Sequence, residues 1–129
     1  EASDAFRNAL RLDPGSAAAH ASLADALAAS ERLGEAEAEY REAIRLDPSS
    51  GLAHINLAVV IVRSGRIADA VPHAVEAVRL DPRQAGWQLT LGRLYEDAGR
   101  RPEAIRAFEA ALAIDPGLTA AQQELGRLR

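Results

Sequence analysis

Cysteine is absent from the 129 residues, so the chain holds no disulfide framework, thiolate nucleophile or cysteine-based metal site. Lysine is absent too, and all 15 basic residues are arginine. Methionine is missing altogether. With so much alanine, these gaps look like the codon bias of a GC-rich bacterial genome. Without an initiator methionine, the chain is expected to be a piece of a longer bacterial protein. The net charge of −4 comes from acids and arginines that alternate along the sequence. A polyanion needs a dense basic stripe, so nucleic acid is not an expected partner. No apolar run approaches the length needed to span a bilayer, and no signal-peptide pattern opens the chain. A membrane is not an expected partner either, and a cytoplasmic setting is favoured.

What the chain does have is a period. Asp-Pro recurs at Asp13-Pro14, Asp47-Pro48, Asp81-Pro82 and Asp115-Pro116, each 34 residues after the last. Alanine keeps the same step at Ala2, Ala36, Ala70 and Ala104, and again at Ala9, Ala43, Ala77 and Ala111. Leucine keeps it at Leu23, Leu57, Leu91 and Leu125. A fixed period of this length signals stacked repeats, each burying its apolar face against its neighbours. The chain therefore reads as one array over 1–129. Residues 1–16 supply the second half of a truncated unit. Complete units follow at 17–50, 51–84 and 85–118, and 119–129 forms a terminal helix. Glu1 falls in the middle of a unit.

Each unit reads as two helices. In the third, Leu91, Leu94 and Tyr95 mark one helical face. Gly99 punctuates, Pro102 opens the next helix where its missing N–H costs little, and Asp115-Pro116 ends it. The spacing predicts helices over 2–12, 17–29, 34–46, 51–63, 68–80, 85–98, 102–114 and 119–128. Pro72 is harmless only if its helix starts near Asp69; otherwise a kink is expected.

On Leu91, Gly92, Tyr95, Gly99, Ala104, Phe108, Ala111 and Pro116, the chain resembles the tetratricopeptide repeat family, whose period is 34 residues. The resemblance covers the whole chain. Its departures are His20, His54 and Gln88 at the family's early tryptophan position, Trp87 displaced by one residue, and Glu31 in place of the usual inter-helix glycine. The family implies an all-α fold, a right-handed α-solenoid of antiparallel helix pairs, here three full repeats flanked by half repeats. First helices line a concave face and second helices form the convex back. One subgroup of the family grips carboxylates of chaperone tails. In those columns this chain has Ala21, Asp25, Asn56, Gly86 and Thr90, and only Asn56 fits. The asparagine ladder of another subgroup reads here Ser22, Asn56, Thr90, Glu124.

The sequence offers no visible catalytic apparatus. His20 and His54 lie one repeat apart, a spacing of about 10 Å that is too wide for one shared ion, so they read as packing residues. His73 has no ligand one turn further on. No cysteine or second histidine completes a triad with a serine. Neighbouring carboxylates such as Glu35 with Glu39, and Glu96 with Asp97, read as surface groups. No glycine-rich phosphate loop is present, and no cofactor or metal is expected.

The helix GLAHINLAVVIVR, 51–63, stands apart. His54, Leu57, Ala58 and Ile61 fall within an arc of about 100°, toward the core. Leu52, Ile55, Val59 and Val62 fall in a second arc, about 80° wide, toward the concave side. The same columns hold Ala18, Ala21, Asp25 and Ala28 in the first unit, and Gly86, Leu89, Arg93 and Glu96 in the third. Exposed contiguous apolar surface marks binding sites, and the alternative for this stripe is burial by tight superhelical curvature or by another copy of the chain. The expected function is a non-enzymatic protein-interaction module that takes a peptide or amphipathic helix of a partner protein in this groove. Leu89 would extend the floor, and Asn56 and Arg93 would orient the ligand. Two other readings stay open. One is a substrate-presenting appendage of a larger enzyme. The other is a scaffold that self-assembles as a homo-oligomer through its uncapped ends, where Phe6 and Leu10 lack their natural cover.

Overall fold

The computed structural model describes residues 2–129, the side chain of Ala2 excepted. Eight helices and no strands are present among these residues: α1 (Ala2–Leu12), α2 (Ala17–Ala29), α3 (Leu33–Leu46), α4 (Gly51–Arg63), α5 (Ile67–Leu80), α6 (Ala85–Asp97), α7 (Arg101–Ile114) and α8 (Thr119–Leu128). The most extensive contacts join α2 to α3, α4 to α5 and α6 to α7. Lesser ones join α1 to α2, α3 to α4, α5 to α6 and α7 to α8. Each helix thus packs chiefly on its neighbours in sequence, the quasi-one-dimensional pattern of a helical solenoid.

The turns explain the period. Within each unit the first helix ends on a left-handed residue, Glu31 (φ 62), Gly65 (φ 85) or Gly99 (φ 78). The next N–H then returns to a carbonyl in the last helical turn: Arg32 to Leu27, Arg66 to Ile61 and Arg100 to Tyr95. This is the Schellman arrangement, which glycine enters without strain. Glu31 holds the conformation with a side chain, and its carboxylate is paired with Arg63 of the next unit.

Between units, Asp47, Asp81 and Asp115 close the second helices with N–H bonds of 2.9 to 3.0 Å to Ala43, Ala77 and Ala111. Their carboxylates accept the N–H groups of Ser49, Arg83 and Gly117, which folds the Asp-Pro step into a turn. Ser16 and Ser50 then cap α2 and α4, each accepting at 3.1 Å from Ala19 and Ala53.

The second helices start one residue earlier than the periodicity suggests. The case that matters is α5, which begins at Ile67, not near Asp69. Pro72 therefore lies beyond the first turn. Pro72 and Ala68, whose carbonyl loses its helical donor there, are both exposed, and water can satisfy that carbonyl.

The core is built from small residues that let backbones approach and large ones that fill between them. Ala36, Ala70, Ala104, Ala77 and Ala111 are fully buried, as are Leu57, Ile61 and Phe108. Gly92 admits the Phe108 ring: a Cβ there would lie 2.5 Å from its nearest carbon. Trp87 does the same across the boundary between the second and third units. Its ring covers Gly51, where a Cβ would meet it at 2.8 Å. The displaced tryptophan is thus the seal between α4, α5 and α6.

Candidate functional site

The histidines prove to be turn anchors with chemically different partners. His20 Nε2 lies 3.0 Å from the Pro14 carbonyl and Nδ1 lies 2.7 Å from the Glu39 carboxylate. Both ring nitrogens face acceptors, which favours the doubly protonated ring. Burial lowers the imidazole pKa, but the hydrogen bonds to Glu39 and Pro14 outweigh it and leave it raised. One repeat on, His54 Nε2 meets the Pro48 carbonyl at 3.3 Å, and Gln122 repeats the bond to Pro116 at 2.8 Å. The column of Glu39 now holds His73, which stacks on His54 with centroids 6.1 Å apart. Burial, with the charges of Arg41 and His54, holds the His73 pKa down. His54 Nδ1 is left buried with no hydrogen-bond partner among the described residues. No group of three metal-ligating side chains stands together among the described residues.

The groove side of α2, α4 and α6 has a different character. On α4, Leu52 is 59% exposed and Val59 40%, with Val62 partly covered beside them. Ile55 departs from the expectation: it is only 4% exposed and belongs to the same core cluster as Leu57, Leu91 and Leu94. A helical wheel gives Ile55 the direction of Leu52 and Val59, but packing within the array buries it. Leu89, one repeat on, is likewise turned to the seam. It packs against the cluster of Phe108, Leu125 and Leu128 and does not extend the floor.

Three hollows follow one another along this face. The first, about 330 Å³, lies among Ala18, Ala21, Ser22, Asp25 and Leu52. The second, about 350 Å³, is lined by Asp25, Tyr40, Asn56, Val59 and Arg63. The third, about 240 Å³, is lined by Val59, Val62, Arg63, Thr90, Arg93 and Asp97. Val59 is shared by the second and third, so this exposed valine sits at the middle of the path.

The path is electrically uneven. At the first-unit end, Asp25 accepts the hydroxyl of Tyr40. Burial and that carboxylate push the Tyr40 pKa above the usual phenol range. Toward the third unit, Arg63 is held by Glu31 and by the Ala28 carbonyl at 3.2 Å. Arg93 is exposed, and neither it nor Asn56 makes a side-chain hydrogen bond or ion pair among the described residues. Of the charged groups here, Asp25 was legible from the sequence as a groove-column residue, whereas Arg63 was not. The column comparison that set Asp25 against Val59 and Arg93 was the available signal.

Comparison with known proteins places this geometry. The tetratricopeptide repeat model matches residues 1–51 and 55–119. A search of curated proteins found no match. Among solved structures, MamA superposes with a TM-score of 0.92 at 23% identity, over 98% of this chain and 74% of that one. YrrB, described as a tetratricopeptide repeat protein with an unusual peptide-binding site, gives 0.85 at 25% identity over 95% of this chain and 63% of its own. The first such domain of Spaghetti (RPAP3), bound to the HSP90 peptide SRMEEVD, gives 0.82 at 20% identity over 87% and 89%. The helix pairs, the turn geometry and the matched model together make the chain a member of the tetratricopeptide repeat family.

Proposed function

We propose that the chain is a protein-interaction module without chemistry of its own, and that it takes a peptide or helix of a partner along the path from Asp25 to Arg93. The observation that carries this reading is the exposure of Leu52 and Val59 on α4, beside Arg93, whose side chain has no partner among the described residues. Apolar side chains left open in a concave face, flanked by a few polar groups, are the pattern of peptide sites. Peptide binding by YrrB and by the Spaghetti domain supports the reading by analogy of fold.

The ligand this path favours has an aliphatic side chain for the hollow between Val59 and Val62, with a carboxylate next to it for Arg93. A basic residue further along would meet Asp25. Asn56 would orient the ligand backbone. This differs from an acidic tail gripped by several cations, because Asp25 and Asp97 would repel one.

Peptides selected from a random display library provide the test, with affinity read by fluorescence polarisation. Selected sequences are expected to carry an aliphatic residue adjacent to Asp or Glu. Leu52→Glu with Val59→Glu should weaken them about tenfold or more, since each buried aliphatic contact contributes roughly 1.5–3 kcal/mol. Arg93→Ala should weaken only the acidic peptides. Both positions are solvent-facing, so helicity should be unchanged. Undiminished binding by the double variant would overturn the assignment. Ile55→Glu is not a usable probe, because it would place a charge in the core.

A further inference from the structure

One turn breaks the pattern of the others. Where a first helix ends in the left-handed region, the second and third units have Gly65 (φ 85) and Gly99 (φ 78), but the first has Glu31 (φ 62). Glycine enters that region without strain, whereas a side chain there crowds the following carbonyl. Such strain persists only where the surroundings hold it, and it concentrates at working sites. What holds Glu31 is Arg63 of the next unit. The Glu31 carboxylate accepts from Arg63 Nη2, and the same nitrogen donates to the Ala28 carbonyl at 3.2 Å. Arg63 has no counterpart in the array, since its column holds Ala29 in the first unit and Asp97 in the third.

The guanidinium fixed in this way stands in the groove. Arg63 lines the second hollow with Asp25, Asn56 and Val59, and the third with Val62, Arg93 and Asp97. Both hydrogens of Nη2 are taken by Glu31 and Ala28. Nε and Nη1 keep their N–H groups without a partner among the described residues. The charge of Arg63 is matched by Glu31, and Asp25 and Asp97 stand in the same two hollows. A ligand carboxylate would therefore meet net negative surroundings at Arg63, while an uncharged carbonyl oxygen would not be repelled. Arg93 is the opposite case, a cation with no ion-pair partner among the described residues.

We infer that Arg63 is the groove's main-chain anchor: its free N–H groups donate to peptide carbonyl oxygens of the ligand, and Glu31 is the residue that positions it. This rests on the groove reading and adds a division of labour to it. Arg93 reads the ligand's acidic side chain, whereas Arg63 holds the backbone beside Val59 whatever the side chains are. Glu31 acts through Arg63 and touches no ligand.

The test uses a peptide selected by display on the unaltered chain, with an aliphatic residue beside Asp or Glu, and the same peptide with that acid changed to its amide. Affinities are read by fluorescence polarisation. Glu31→Gly restores the residue that the other two units use, so the unfolding midpoint is expected to hold or rise, and weaker binding cannot then be a loss of fold. Both peptides should bind about three- to tenfold more weakly, the effect of roughly one hydrogen bond, and by the same factor. Arg63→Ala should do the same, and adding Glu31→Gly to it should bring no further loss. Unchanged binding by Glu31→Gly, a loss confined to the acidic peptide, or a further loss in the double variant would each overturn the inference and leave the groove reading in place. Undiminished binding by Leu52→Glu with Val59→Glu would remove both.

Discussion

Gly92 and Gly126 occupy the same column, and alanine at these two places should act in opposite directions. In a helix interior alanine is favoured over glycine by about 1 kcal/mol. At Gly126 nothing opposes this gain, because the space beyond is empty. Near the end of α8 the gain should be about 0.4–1 kcal/mol. At Gly92 the new Cβ would lie 2.5, 2.7 and 2.9 Å from ring carbons of Phe108. Carbon pairs are best separated by about 3.5–4.0 Å, so the ring must move by roughly an ångström. Phe108 is fully buried and cannot swing into solvent. Overpacking of this kind costs about 1–3 kcal/mol. The net effect of Gly92→Ala is thus a loss of up to about 2 kcal/mol, and the gap between the variants is about 0.4–3 kcal/mol. Thermal unfolding followed by far-ultraviolet circular dichroism, at concentrations low enough to exclude association, would measure it. Each 1 kcal/mol of that gap separates the midpoints by roughly 3 °C or more. Adding Phe108→Leu to Gly92→Ala should recover part of the loss. If Gly92→Ala proves as stable as Gly126→Ala, the close approach of α6 and α7 is not set by a ring seated on a glycine.

Three further perturbations address other parts of the array. Glu39→Gln should destabilise the chain in a pH-dependent way. The His20 pKa is raised in the folded state, so the stabilisation is complete below the unfolded imidazole value of about 6.5 and fades as pH rises through the folded one. Urea unfolding should show the variant's deficit near pH 6 and its disappearance at alkaline pH, and an equal deficit at both would refute the ion pair. Gly51→Ala would place a Cβ 2.8 Å from the Trp87 ring, so it should shift the emission of the chain's one tryptophan and cost about 1–3 kcal/mol; unchanged emission would show that Trp87 does not seal that boundary. Leu57→Ala, at a fully buried site, should cost about 2–5 kcal/mol and broaden the unfolding transition as the units on either side uncouple.

The fold was legible because a repeat prints its packing rules several times. Ala36, Ala70 and Ala104 are each buried for the same reason, so the column speaks more plainly than any one residue. The groove was only half legible, and the missing half has a common cause. Reading α4 as an isolated cylinder assigns Ile55 to the open face with Leu52 and Val59, yet the adjacent helices bury it. The direction of a side chain follows from its own helix, whereas its exposure depends on the next one. The same limit hid the pair of His54 and His73. Glu39 and His73 share a column but not a chemistry, so no single-column pattern points to them. Taken in pairs, however, the columns do speak: the residue that meets the early histidine lies 19 positions after it in both units. An array of this kind thus encodes its contacts as relations between columns.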